Sequence, residues 1–369
     1  MKEDIKGHIY PNIDQLLCID CKRCVKHCPS INSLETNIPK RVIAGWVKDP
    51  NIRKSSTSGG ISYAISKIIV ANGGLFCGVK WDNIRNETKH ELTDDVTHLA
   101  EFQGSRYSHS NTSDVYIQIR NLLFQGRVIL FSGTPCQVAG LKSFLGKHYN
   151  NLYTMDLICH GVPSRKILRD RISTIEQSVG KKVINLKSKE KTPNQYFTSV
   201  TYFHNDGTST QISVYEEPFF RGFVENYFLR PNCYKCKFAQ KGRVSDITIG
   251  DFWGFEPHSL KFGSYRKGTS VILINTSKGS KLFEMLKENL IWEERDFYEA
   301  ASCNRNLTRP QLIPKHYDEF WERYLLGESL SDLSLDFFPP IAYKISFKSR
   351  IKTFFKMVIP RNIFNLLKK

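Results

Sequence analysis

Four cysteines near the start, Cys18, Cys21, Cys24 and Cys28, read C-x2-C-x2-C-x3-C and are followed at once by Pro29. That is the bacterial ferredoxin spacing for a [4Fe-4S] cluster, because a compact loop lets thiolates reach separate corners of one cubane. Zinc sites more often use two separated CxxC pairs or mixed Cys/His sets, so iron–sulfur is the stronger reading. Cys28 is expected to close the same cluster. The alternative is that it serves the second one, as the fourth cysteine does in two-cluster ferredoxins. A second set is scattered: Cys136 in SGTPCQ, Cys159 in CHG, and the CxxC pair Cys233 and Cys236. Cys136 and Cys159 follow the apolar runs 128–131 and 152–158, which read as buried strands. Both therefore stand at carboxyl ends of neighbouring strands, where open α/β sheets place their sites. A second [4Fe-4S] cluster on Cys136, Cys159, Cys233 and Cys236 is the economical assembly. The other reading keeps Cys136 and Cys159 as small buried side chains and gives Cys233 and Cys236 a structural zinc. Spacing alone leaves that open. Cys77 and Cys303 read as plain thiols.

Three Gly/Ser segments could cradle a phosphate: Ser56-Thr57-Ser58-Gly59-Gly60, Gly104-Ser105-Arg106-Tyr107 and Ser132-Gly133-Thr134-Pro135. The first opens a helix, whose free N–H groups and dipole favour an anion. Each alone is a weak signal, since such clusters are usually turns. No G-x-G-x-x-G occurs, so a standard dinucleotide fingerprint is not supported.

The elements that must position these groups alternate. Residues 42–47 read as a strand and 59–74 as a helix with Ser58 as N-cap and Gly73-Gly74 at its end. Residues 75–81, 113–124, 128–131, 137–145, 152–158 and 164–178 continue the pattern. The expected fold class is α/β: a mostly parallel sheet flanked by helices. Residues 183–213 read as a small antiparallel insertion turning at Asn205-Asp206-Gly207, and 244–253 as a further strand. An N-terminal ferredoxin-like [4Fe-4S] segment (1–40) precedes a catalytic domain (41–310) and a C-terminal extension (311–369).

The chain has 369 residues, 40% hydrophobic and 24% charged, which excludes a disordered or collagen-like chain. No apolar stretch is long enough to span a bilayer, and the N-terminus does not read as a secretory signal. A cytoplasmic setting is expected, where cysteines serve as thiols, metal ligands or redox groups. The net charge is +17. Residues 340–369 carry eight Lys or Arg and no acid, leaving +9 for the rest (17 minus 8). Phe347, Ile351, Phe354, Phe355 and Val358 share one helical face there. Two expectations follow for 344–369: a peripheral contact with the inner face of a membrane, or docking on protein.

The stretches CIDCKRCVKHCP (18–29), STSGGISYA (56–64), FQGSRYSHS (102–110), SGTPCQVAGLK (132–142), DLICHGVPS (156–164), LRPNCYKCKFA (229–239) and SDITIGDFWG (245–254) are together similar to the coenzyme F420 hydrogenase/dehydrogenase beta-subunit family. That family also includes 7-hydroxymethyl chlorophyll a reductase and bacterial members associated with surface-polysaccharide synthesis. The resemblance implies two [4Fe-4S] clusters and FAD. It implies FAD contacts at Ser58, Gly59, Gly60, Gly104, Ser105, Arg106, Tyr107, Gly133, Thr134 and Gln137. The family often has Lys where Arg106 stands; charge is kept, but a fork replaces a compact ammonium.

Clusters pass single electrons, and a flavin couples them to hydride-type chemistry. The first expectation is therefore an oxidoreductase. It takes electrons from a donor such as ferredoxin and reduces an organic substrate, with surface-polysaccharide synthesis as one setting. The alternative is an electron-transfer beta subunit of an F420-linked hydrogenase or dehydrogenase complex, without its own organic substrate. A basic iron–sulfur protein binding nucleic acid is remote, since no nucleic-acid motif accompanies the charge; no nucleic acid is expected. His160, beside Cys159, is a candidate catalytic proton donor, although a structural hydrogen bond is the commoner role of a lone histidine. Asp251 and His90 are similar candidates.

Overall fold

The computed structural model describes residues 1–32, 34–112, 114–192, 195–257 and 259–341. The basic amphipathic segment 344–369 lies outside the described residues.

The strands are β1 (Lys2–Glu3), β2 (Ile9–Tyr10), β3 (Arg41–Val47), β4 (Leu75–Asp82), β5 (Glu87–Thr93), β6 (Ile129–Gly133), β7 (Leu152–Leu157), β8 (Val183–Thr192), β9 (Gln195–His204), β10 (Ser209–Ser213), β11 (Ile247–Asp251), β12 (Ser270–Ile274) and β13 (Leu290–Glu294). The helices are α1 (Arg23–Lys26), α2 (Pro50–Ser55), α3 (Ile61–Ala71), α4 (Val115–Phe124), α5 (Pro135–Leu145), α6 (Arg165–Val179), α7 (Pro218–Val224), α8 (Ser277–Leu286), α9 (Phe297–Ser302), α10 (Tyr317–Leu325) and α11 (Leu330–Phe337).

Eight strands form one sheet in the order β13-β3-β12-β11-β7-β6-β4-β5. Its centre, β11-β7-β6-β4, is parallel throughout. Antiparallel partners extend it on both sides: β12, β3 and β13 beyond β11, and β5 beyond β4. The expected α/β fold with a parallel core is present, and the antiparallel margins are what the alternation of helix and strand patterns does not show. Both faces are covered, so the strands are apolar on both sides. In β6, Ile129 and Phe131 face α4 and α5, while Leu130 joins the cluster under α3 and α8. In β3 the same period of two sends Val42, Ala44 and Trp46 towards α9 and Ile43 and Val47 towards α3.

The insertion folds as expected into an antiparallel sheet, β10-β9-β8, with its turn at 205–208. It shares an aromatic core with α6, α7, α10 and α11, in which Trp321, Phe320 and Phe228 are buried. Residues 317–338 are thus part of the folded body.

The N-terminal segment is less structured than a ferredoxin-like reading suggests. Its described residues form a two-stranded ribbon, β1-β2, and the four-residue α1, which buries no side chain. No helix among the described residues is long and apolar enough to cross a membrane.

Candidate functional site

The carboxyl ends of β6, β7 and β11 open into a cavity of about 470 Å³, within the ~300–1,000 Å³ range of small-molecule sites. All three Gly/Ser segments reach it. Its lining includes Ser58, Gly60, Gly104, Ser105, Arg106, Tyr107, Gly133, Thr134 and Gln137, together with Cys159 and His160.

Gly59 stands apart from this lining. Its N–H is donated to the Ser270 hydroxyl at 2.9 Å, and a Cβ there would sit 2.6 Å from the Gly45 carbonyl. The glycine lets the loop lie against β3. Ser58 is also not the N-cap of the following helix. Its hydroxyl donates to the Thr269 carbonyl, and the cap is Gly60, in a left-handed conformation with no side-chain cap. The first turn of α3 therefore keeps its N–H groups unclaimed by a cap, and Ile61, Ser62 and Tyr63 border the cavity. Uncapped amides at a positive dipole end suit an anion. Also lining the cavity, the Arg106 guanidinium donates to the carbonyls of Gln103 and Glu101, and its Nε has no partner among the described residues. Burial lowers its pKa to about 10. It fits an anionic group arriving from outside the protein.

The third segment is different. Thr134 and Gln137 form a capping box on α5, and Gln137 Oε1 accepts both the N–H and the hydroxyl of Thr134. Gln137 donates to Ser110 Oγ at 2.8 Å, and Ser110 stands 3.1 Å from His90 Nδ1. His90 Nε2 lies 3.1 Å from the Ser132 carbonyl, which can only accept. Nε2 therefore carries the proton, and Nδ1 accepts from Ser110. Burial lowers the His90 pKa to about 4, so the ring is neutral. This loop satisfies its own polar groups, so it bounds the cavity as a rigid wall.

Cys136 is the second residue of α5 and Cys159 lies two residues beyond β7. Cys233 sits in a 3-10 turn, Pro231–Lys235, with Cys236 next along the chain. These four thiols share one neighbourhood. Burial pushes the Cys159 thiol well up, and the charges of Cys233, Cys136 and Cys236 push in the same direction. Burial likewise raises Cys233 to about 12, with Cys136 and Cys236 adding to it. Val162 donates its N–H to Cys233 Sγ at 3.4 Å, and the Thr134 hydroxyl lies 3.1 Å from Cys136 Sγ. Among the described residues no three His, Cys, Asp or Glu side chains close on one point as a single ion requires. A cubane separates its thiolates further, because each binds a different iron. The quartet is compatible with the larger group.

Two devices bring the CxxC segment to the sheet. Arg243, buried with Asp156 in a 3.0 Å ion pair, also donates to the Leu157 and Phe238 carbonyls. Gly161, at φ +151°, lies where a Cβ would be 2.8 Å from Leu229, and the chain pairs next to it, Pro163 with Leu229.

Cys18, Cys21 and Cys24 are exposed and Cys28 is half-buried. Their loop surrounds α1, with Leu16, Leu17 and Ile19 also exposed.

His160 packs edge-on against Phe223. Its Nε2 lies 3.1 Å from the Phe223 carbonyl and so donates to it, while Nδ1 accepts from the Gln311 amide at 3.1 Å. Burial lowers its pKa to about 4. A neutral ring with both nitrogens engaged holds the turn after β7. Asp251 ends β11 on the cavity wall, paired with Lys189 at 3.1 Å. Trp253, from the SDITIGDFWG stretch, lines the same wall, as do Lys189, Phe220 and Phe223, to which no motif points. Lys189 sits at a bulge in β8 with φ +59°, a conformation costing a bulky residue about 1–3 kcal/mol.

Residues 126–299 match the family model for the carboxy-terminal part of the beta subunit of coenzyme F420 hydrogenase/dehydrogenase. No curated protein matches the chain. Among solved structures, a chain of the F420-reducing [NiFe] hydrogenase complex from Methanosarcina barkeri aligns at 16% identity, with a TM-score of 0.48, over 79% of this chain and 94% of its own. The matched segment holds Cys136, Cys159, Cys233 and Cys236 together with the parallel core of β6, β7 and β11, and over that segment the chain is similar to the coenzyme F420 hydrogenase/dehydrogenase beta-subunit family.

Proposed function

We propose that this chain is the flavin-bearing electron-transfer subunit of a hydrogenase- or dehydrogenase-type redox complex. Cys136, Cys159, Cys233 and Cys236 hold one [4Fe-4S] cluster, Cys18, Cys21, Cys24 and Cys28 a second, and FAD takes the cavity. The observation that carries this reading is the joint wall: three Gly/Ser segments and Cys159 line one cavity at the strand ends. A bound flavin would supply the exchange between single electrons and hydride-type chemistry. The chain's own groups prepare the place. The α3 amides and Arg106 bind the diphosphate. Phe220 and Phe223 exclude water from the ring end, and the Thr134–Gln137 box keeps Cys136 at the edge of the cavity.

Anaerobic purification followed by iron, sulfide and flavin analysis tests this. About eight irons per chain and one flavin are expected for two cubanes and FAD. About four irons with zinc, or a colourless protein after growth with iron and riboflavin, would overturn it. Copurification with a fixed large subunit that reduces a deazaflavin marks the complex.

A second reading, a reductase taking electrons from ferredoxin to its own organic substrate, is favoured by Trp253. This ring is 41% exposed on the cavity wall, where a further planar or sugar-bearing molecule could lie. Ferredoxin-driven turnover by the isolated chain would select it, with intermediates of surface-polysaccharide synthesis as the substrates to try.

A further inference from the structure

Lys189 and Asp251 stand together on the cavity wall, on the same cavity as Cys159. The ammonium lies 3.1 Å from Asp251 Oδ2 and is also hydrogen-bonded to Tyr107. The other carboxylate oxygen, Oδ1, is buried and has no partner among the described residues. A buried carboxylate oxygen without a donor is costly, and a ligand N–H would relieve it. The pair therefore shows a donor and an acceptor side by side, both fixed. Aromatic rings flank it: Lys189 Nζ is 4.8 Å from the centre of Trp253 and 5.7 Å from that of Tyr107. A flat ligand thus has faces to stack on and an edge to bond.

The backbone is bent to make this arrangement. Register between β8 and β9 is lost on either side of Glu190, and Lys189 there takes a left-handed conformation that its side chain disfavours. A regular strand would carry Lys189 in step with Lys187 and Lys191. Strain held by a non-glycine residue on a cavity wall is a mark of function.

We propose that Lys189 and Asp251 read the imide edge of a pyrimidinedione ring, the carbonyl and N3–H face that flavins and deazaflavins share. Asp251 Oδ1 accepts the N3–H, and the Lys189 ammonium donates to the adjoining carbonyl. This rests on the flavin-type reading of the cavity and adds which residues recognise the ring. Both residues bind and orient; no bond is made or broken at them.

The test uses rings with and without the N3 proton, on anaerobically purified full-length protein. In one arm, protein stripped of flavin is titrated with riboflavin and with 3-methylriboflavin. In the other, flavin-replete protein is titrated with 8-hydroxy-5-deazariboflavin and its 3-methyl derivative. Fluorescence reads binding in both. The N3–H form is expected to bind about ten- to a hundredfold more tightly in one arm, as a charged hydrogen bond implies. The first arm would assign the pair to the resident ring and the second to a substrate ring. Asp251→Ala should shrink that preference to less than about threefold, and Lys189→Met should weaken both forms alike while leaving the preference. If wild-type protein binds the rings but treats both forms equally in both arms, the imide assignment is overturned and the flavin reading stands. If it binds neither ring in either arm, both fall. Wild-type discrimination decides the matter even where a variant fails to fold.

Discussion

The two cysteine quartets are brought together in opposite ways. Cys18, Cys21, Cys24 and Cys28 are neighbours in the chain, on an exposed loop whose helix buries nothing. Cys136, Cys159, Cys233 and Cys236 are far apart in the chain and converge because β6 and β7 are adjacent parallel strands and Arg243 ties the CxxC segment beside them. In the first, geometry comes from spacing, and a bound cluster would have to organise the loop. In the second, the positions of the thiols follow from the strands and turns that carry them. The lesson is that a local motif places little demand on the fold, whereas a dispersed one stands or falls with it.

Breaking the scaffold should therefore affect only the second quartet. The largest effect is expected from Arg243→Met, which leaves Asp156 charged and buried without its partner. Urea unfolding should show a loss of about 3–5 kcal/mol, and on the proposed two-cluster reading half of the iron should be missing while the share assigned to the N-terminal quartet is kept. Retention of full stability would mean that the CxxC segment is held by something else. Next is Gly161→Ala, which adds a methyl against Leu229 at a positive φ. A loss of about 1–3 kcal/mol is expected, with the iron deficit again confined to the second site, as electron paramagnetic resonance of the reduced protein would show.

Acid should weaken the wall beside Cys136, through His90. The folded pKa of His90 lies near 4, below the usual value near 6.5, because burial disfavours the charged ring. The unfolded chain then takes up the proton first. Stability from His90 is complete above pH 6.5 and is lost as pH falls towards 4, by about 1 kcal/mol between pH 7 and 5.5. His8, His109 and His160, also near 4, add to the same slope. Replacement of His90 by Gln should flatten only its share, which unfolding measured at each pH would reveal. A slope unchanged by that replacement would show that the His90–Ser110–Gln137 chain is not held as described.

The smallest effect on stability should follow from Cys21→Ser. Melting of the metal-free chain should move by less than about 0.5 kcal/mol, as for an exposed surface site, although about half of the iron is lost. A large destabilisation would show that the N-terminal loop is anchored to the body more firmly than its exposure implies.

Much of this architecture could be read along the chain. Apolar runs at 128–131 and 152–158 locate β6 and β7 to within a residue or two, because buried parallel strands are apolar on both faces. Ser164 caps α6 where the expected helix 164–178 begins, whereas α5 starts at Pro135, two residues before the expected 137, because the Thr134–Gln137 box caps it. Ser58 misled as a cap, because its hydroxyl is taken by the Thr269 carbonyl, a partner more than two hundred residues away. Gly59 misled as a lining residue for the same reason: its close neighbour is β3. Lys189 could not be found at all. It sits in a run of alternating lysines, and only the bulge singles it out.

Spacing, hydrophobic period and capping chemistry are short-range quantities. They determined the first cysteine motif, the strands of the parallel core with the helices between them, and the presence of cysteines at strand ends. Which strands lie side by side, which glycine faces a neighbour instead of a ligand, and which lysine turns inward depend on contacts between distant segments. Those were decided only when burial of both sheet faces selected one packing.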